Sequence, residues 1–125
     1  MKRRCLMLVF ALGPGLATVD AVAQTWPAKP IKAIVPIAAG SVIDIVPRVV
    51  FEQLTTQIGQ SIVVENRPGA GQTMGAGAVA RSEPDGYTLL MAVDSTLTMH
   101  PHAYKKLPYD ALKDFAPVTT VANSW

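Results

Sequence analysis

At 125 residues the chain has room for one small domain with a modest core. Its 11 basic and nine acidic residues include Lys2, Arg3, Arg4 and Asp20 near the N-terminus; setting these four aside leaves eight of each sign, so the balance does not indicate a basic nucleic-acid or anionic-membrane surface. Cys5, the only cysteine, falls in the same N-terminal stretch, so residues 24–125 hold no disulfide framework, thiolate metal site or cysteine nucleophile.

In chain order, Lys2-Arg3-Arg4, the apolar run Leu6 to Leu12 and the small residues Ala21 and Ala23 predict a secretory signal peptide over 1–23, cut after Ala23. Gly13-Pro14-Gly15 interrupts the apolar run, which is therefore shorter than the roughly 20 residues a membrane span needs. Ile31 to Val35, rich in β-branched residues and stopped by Pro36, predicts a buried strand. After the small residues Ala38 to Ser41, the spacing of Ile43, Val46, Val50, Leu54 and Ile58 predicts an amphipathic helix with those five facing inward, ending at Gly59. Ser61 to Glu65 is a second strand, and Gln72 to Arg81 a second helix despite the internal Gly75 and Gly77. Pro84-Asp85-Gly86 is a turn and Tyr87 to Val93 a third strand; beyond it the chain is irregular, with a further strand expected at Val118 to Val121. The alternation of strand and helix implies right-handed crossovers, a parallel sheet covered by helices, and loops gathered on one sheet edge, where ligands bind in open α/β folds.

Most catalytic chemistry is excluded by spacing. In Gly69-Ala70-Gly71-Gln72-Thr73-Met74-Gly75 the third glycine of a dinucleotide fingerprint would stand at Met74, and no Gly-Lys-Ser/Thr follows, so the glycines are read as permitting a tight turn. His100-Pro101-His102 lacks neighbouring carboxylate or thiol ligands, Asp94-Ser95-Thr96 lacks a nucleophile elbow, and Asp110 with Asp114 suits a solvated turn. No catalytic residue, metal or cofactor is assigned. What remains is two strand-to-helix loops of small residues aiming free backbone N–H groups outward, a device that holds carboxylates without an arginine. Ser41 and Asp44 have the spacing of a capping box, and capping and ligand binding are both open for Asp44.

Trp26-Pro27-x-Lys29-Pro30-Ile31 leading to Val35-Pro36 and Ala39-Gly40, Asp44-Ile45-Val46-x-Arg48, Val63 to Gly71, Pro84 to Leu90 and Pro101 to Val118 together resemble the tripartite tricarboxylate transporter receptors called the Bug family. The resemblance implies an α/β periplasmic-binding-protein type II-like lobe, a parallel sheet flanked by helices, with residues 24–125 as part of the N-terminal lobe and the second lobe absent. It implies a periplasmic receptor for a small organic carboxylate (a di- or tricarboxylate, an amino acid or an aromatic acid) that passes its solute to a membrane permease. The ligand-binding candidates it carries over are Ala39, Gly40, Ser41, Asp44, Thr73, Ser95 and Thr96. A partial lobe is expected to bind organic acids weakly or not at all, because a cleft needs two walls. A periplasmic interaction module that meets a sensor domain and a nucleotide-using enzyme are the alternatives.

Two positions depart from the family pattern. Val42-Ile43 stands where a hydroxyl-bearing pair is usual, and a β-branched pair is less able to adopt positive φ or approach a ligand closely. Pro47 is tolerable if Asp44 is the N-cap, but costs roughly 3 kcal/mol if the helix begins at Val42.

Overall fold

The computed structural model describes residues 25–123; the expected signal peptide and its cut after Ala23 lie outside the described residues. Strand β1 (Ile31–Val35) leads into helix α1 (Val42–Ile58), then strand β2 (Ile62–Asn66), a 3-10 turn (Ala70–Gln72) running into helix α2 (Thr73–Ala80), strand β3 (Thr88–Leu90), and the short helices α3 (Asp94–Thr98) and α4 (His100–Ala103). The strands form one parallel sheet in the order β2-β1-β3, with Ile31 opposite Ile62, Val35 opposite Asn66 and Ala33 opposite Leu89. No helix among the described residues is long and apolar enough to cross a membrane.

The central strand explains itself. Ile31, Ala33, Ile34 and Val35 are almost wholly buried, and β1 is hydrogen-bonded on both sides, so its run of apolar residues is that of a strand covered on both faces. Phe51 of α1, Ala76 of α2 and Tyr109 of the C-terminal segment complete the buried apolar set.

Four expectations are changed or decided by the structure. Helix α1 buries Asp44, Pro47 and Phe51, while Ile43 and Val50 are 41% and 38% exposed. The inner face is offset by one residue over the first three turns, because a carboxylate and a proline occupy positions that a hydrophobicity pattern assigns to the outside. Leu54 and Ile58, half-buried, lie on the inner face as expected. Second, α1 begins at Val42 with Ser41 as N-cap, so Pro47 sits inside the helix, at the cost of one backbone hydrogen bond. Third, β3 closes at Leu90: Met91 N–H still donates to the Ile34 carbonyl at 2.9 Å, and the chain then turns into α3. Fourth, no strand forms at Val118 to Val121; Val118 is 83% exposed, and among the described residues no strand lies beside this segment to pair with it.

Glycine is required inside α2 for packing. A Cβ on Gly75 would lie 2.7 Å from Pro36 Cβ and 2.9 Å from the Arg67 carbonyl oxygen, so α2 approaches the ends of β1 and β2 more closely than any side chain allows.

Candidate functional site

Because all three strands run the same way, the segments after Val35, Asn66 and Leu90 emerge on one edge of the sheet. The segment after Val35 is built around Asp44. This carboxylate is only 2% exposed; its Oδ2 accepts from the Gly40 N–H at 2.9 Å, its Oδ1 from Asn66 Nδ2 at 2.8 Å, and both oxygens from Arg48 Nε at 3.0 and 3.1 Å. Arg48 Nη2 donates in turn to Asn66 Oδ1 at 2.7 Å, and Asn66 Nδ2 also donates to the Ile37 carbonyl at 3.0 Å. The Arg48 guanidinium, with the Gly40 N–H and Asn66 amide, holds the Asp44 carboxyl well below the usual carboxylate range. A buried carboxylate with this many donors is an internal anchor: it fixes the 37–41 loop to the end of β2, and Arg48 balances its charge.

The N-terminus of α1 is thereby left uncapped. The sequence spacing suggests that Asp44 should reach back to Ser41, but it is turned toward Arg48 and Asn66 and accepts from Gly40 instead. No side-chain oxygen caps the helix, Ser41 Oγ is sealed from solvent without a hydrogen-bond partner, and the first backbone donors used are those of Asp44 and Ile45, both to the Ser41 carbonyl at 2.9 Å. Among the described residues the N–H groups of Val42 and Ile43 therefore have no acceptor. Ala39 and Gly40 are exposed beside them, and Gly40 has φ +86° with open space around it.

The other two loops are tied together. Thr73 is buried and its hydroxyl donates to the Ala70 carbonyl at 2.8 Å. Thr96 is fully buried; its hydroxyl donates to Gln72 Oε1 at 2.6 Å, and its carbonyl accepts from the Tyr109 hydroxyl at 2.7 Å. Thr96 binds the two loops to each other in this conformation and Thr73 closes its own turn, while Ser95, half-buried, has no hydroxyl partner among the described residues and donates its N–H to Asp94 Oδ1 at 2.8 Å. Gly71, at φ +60°, admits the Tyr104 hydroxyl, which a Cβ would strike. That glycine serves close packing of a side chain, and with Met74 against Gly69 the loop is filled by the protein itself.

The structure thus brings Ala39, Gly40, Ser41 and Asp44 together at α1, and Thr96 against Gln72, the chain neighbour of Thr73. Sequence reasoning missed Asn66, Arg48, Gln72 and Tyr109 as the residues that hold the loops. Asn66 was open to detection: a polar amide ending an apolar strand, on the edge where loops gather, needs partners for both its donor and its acceptor. Among the described residues no group of three or more His, Asp, Glu or Cys is placed to hold a metal ion.

Known proteins resemble this chain in sequence and in fold. The chain is 46% identical over 128 aligned residues to a UPF0065 protein of Bordetella bronchiseptica, covering 95% of this chain and 38% of that protein. It is 39% identical to the protein BugT of Bordetella pertussis, covering 92% of this chain and 35% of that protein. Among solved structures, one described as a periplasmic transporter superposes with a TM-score of 0.72 at 49% identity, over 75% of this chain and 32% of the other. MatC from Rhodopseudomonas palustris, solved with bound malate, superposes with a TM-score of 0.68 at 35% identity, over 74% of this chain and 32% of the other. The chain thus spans little more than a third of the length of the curated relatives it matches. Residues 46–125 match the family described as tripartite tricarboxylate transporter family receptor, and with the Bug-type relatives and the shared parallel α/β fold, the chain belongs to that family.

Proposed function

We propose that residues 24–125 form part of the first lobe of a periplasmic receptor that binds a small organic carboxylate and delivers it to a tripartite transporter permease, after removal of a signal peptide at 1–23. The observation that carries this reading is the α1 N-terminus: a 17-residue helix whose first N–H groups and whose Ser41 hydroxyl have no partner among the described residues, with the Asp44 carboxylate already paired to Arg48. A carboxylate placed there gains charge-assisted hydrogen bonds from the backbone and the favourable end of the helix dipole. Gly40, without a Cβ, leaves room for the ligand to approach. Malate bound to the related MatC is a ligand of the same chemical class.

The test is an NMR titration of the 15N-labelled chain with malate, adipate, citrate and ATP. Millimolar carboxylate should shift the amides of residues 39–44 and, more weakly, those of 69–73 and 93–96, and Ser41→Ala should weaken the effect. Saturable shifts with ATP alone, or carboxylate shifts confined to other parts of the chain, would refute the reading.

A further inference from the structure

We infer that residues 69–72 form a two-state latch on the shared loop edge: a strained left-handed turn, fastened by Thr96, that relaxes when the fastening opens. The inference holds whatever ligand the chain binds. Four consecutive residues have positive φ, Gly69 at +133°, Ala70 at +46°, Gly71 at +60° and Gln72 at +76°. Glycine takes such angles freely, but Ala70 and Gln72 each bring a Cβ close to the following carbonyl oxygen, and residues with side chains visit this region singly, not in runs. Gly71 has to be glycine, since the Tyr104 hydroxyl lies where its Cβ would be. Strain of this kind persists only where surrounding contacts hold it in place.

The contacts that hold it are few. Within the turn, the Gln72 N–H donates to the Gly69 carbonyl at 2.9 Å, and the Thr73 N–H and hydroxyl both donate to the Ala70 carbonyl, the hydroxyl at 2.8 Å. Among the described residues, the one hydrogen bond that ties 69–72 to another part of the fold runs from the Thr96 hydroxyl to Gln72 Oε1 at 2.6 Å. Thr96 is a fixed post. It is wholly buried, its carbonyl accepts from the Tyr109 hydroxyl at 2.7 Å, that hydroxyl also lies 3.2 Å from His100 Nδ1, and the Tyr109 ring packs edge-on against Phe115. Ala70 and Gly71 are exposed, so the turn and not the post is the part that moves. Once the Thr96 bond opens, rotation of Ala70 and Gln72 to negative φ relieves the steric cost, and the loop leading into α2 moves independently of α3.

NMR relaxation dispersion, which reads exchange on the microsecond-to-millisecond timescale, tests this on the parent chain and two variants. The amides of residues 69–73 should exchange with a minor state in which the Cα shifts of Ala70 and Gln72 move toward those of negative φ. Thr96→Val, similar in shape but without the hydroxyl, should raise the population of that state about fivefold, the worth of one hydrogen bond. Ala70→Gly changes an exposed position, keeps the Thr96 bond and removes strain, so it should lower the population about tenfold and quench the dispersion. Should Thr96→Val fail to fold by circular dichroism, Gln72→Ala cuts the same bond from a half-buried position and takes its place. Exchange at 69–73 that Ala70→Gly leaves unchanged or increases, or its absence from both the parent and the variant lacking the Thr96 bond, overturns the inference.

Discussion

Replacing Gly75 with alanine tests how α2 supports the site. The added Cβ would meet Pro36 Cβ at 2.7 Å, the Arg67 carbonyl oxygen at 2.9 Å and Pro36 Cα at 3.0 Å. Carbon atoms in contact sit about 3.5–4.0 Å apart, so α2 must retreat by most of an ångström or push the ends of β1 and β2 apart. Alanine in a helix interior gains about 1 kcal/mol over glycine, whereas overpacking costs about 1–3 kcal/mol, toward the upper end here because a backbone oxygen and a proline ring cannot swing aside. The net expectation is a loss of about 1–2 kcal/mol, or a melting temperature lower by roughly 5–15 °C for a domain of this size. Gly77→Ala is the companion variant: its Cβ would meet Pro108 Cγ at 2.8 Å and Cβ at 3.0 Å, and Pro108 precedes the buried Tyr109, so it too should lose stability, but less than Gly75→Ala because no backbone oxygen stands in the way. Thermal unfolding followed by circular dichroism measures both. A Gly75→Ala protein as stable as the parent, or more so, would refute the packing of α2 on Pro36 and Arg67.

Three further outcomes are expected. Asn66→Ala removes bonds to Ile37, Asp44 and Arg48, two of those groups charged, and should cost about 2–4 kcal/mol in urea unfolding while shifting the amides of residues 37–44. Because the folded Asp44 carboxyl titrates below its ordinary value of 3.8, its contribution to stability is fully present above that pH and is lost as pH falls further; the urea midpoints of the parent and Asp44→Asn should differ at pH 7 and converge only in strong acid. Pro47→Ala restores an N–H to the interior of α1 and should raise stability by about 1–2 kcal/mol, the helix gain of about 3 kcal/mol being reduced by the loss of buried ring carbons; a lower melting temperature would mean that the ring's packing outweighs the missing hydrogen bond.

The resemblance to the family was legible because its motifs sit where chain direction changes. Val35-Pro36, Asn66-Arg67-Pro68-Gly69 and Pro84-Asp85-Gly86 punctuate the strands, and those positions mark the ends of β1 and β2 and the approach to β3. The candidate site was legible only in part. The α1 loop was found from its small residues, but Thr96 was chosen for a hydroxyl that is buried and donated to Gln72. A hydroxyl's availability depends on what lies across from it, and Gln72 is 24 residues away in sequence.

The order of strand, helix, strand, helix and strand, the parallel sheet and the shared loop edge were determined by the sequence alone, since each depends on local periodicity, turn residues and the handedness of short crossovers. Tertiary structure decided which face of α1 turns inward, whether Asp44 caps or anchors, and why α2 carries glycines. Asp44 is buried because Arg48 and Asn66 satisfy it, and Gly75 is needed because Pro36 lies against it. Burial of a charge and the space for a side chain are set by neighbours distant in the chain, and no local pattern of hydrophobicity contains them.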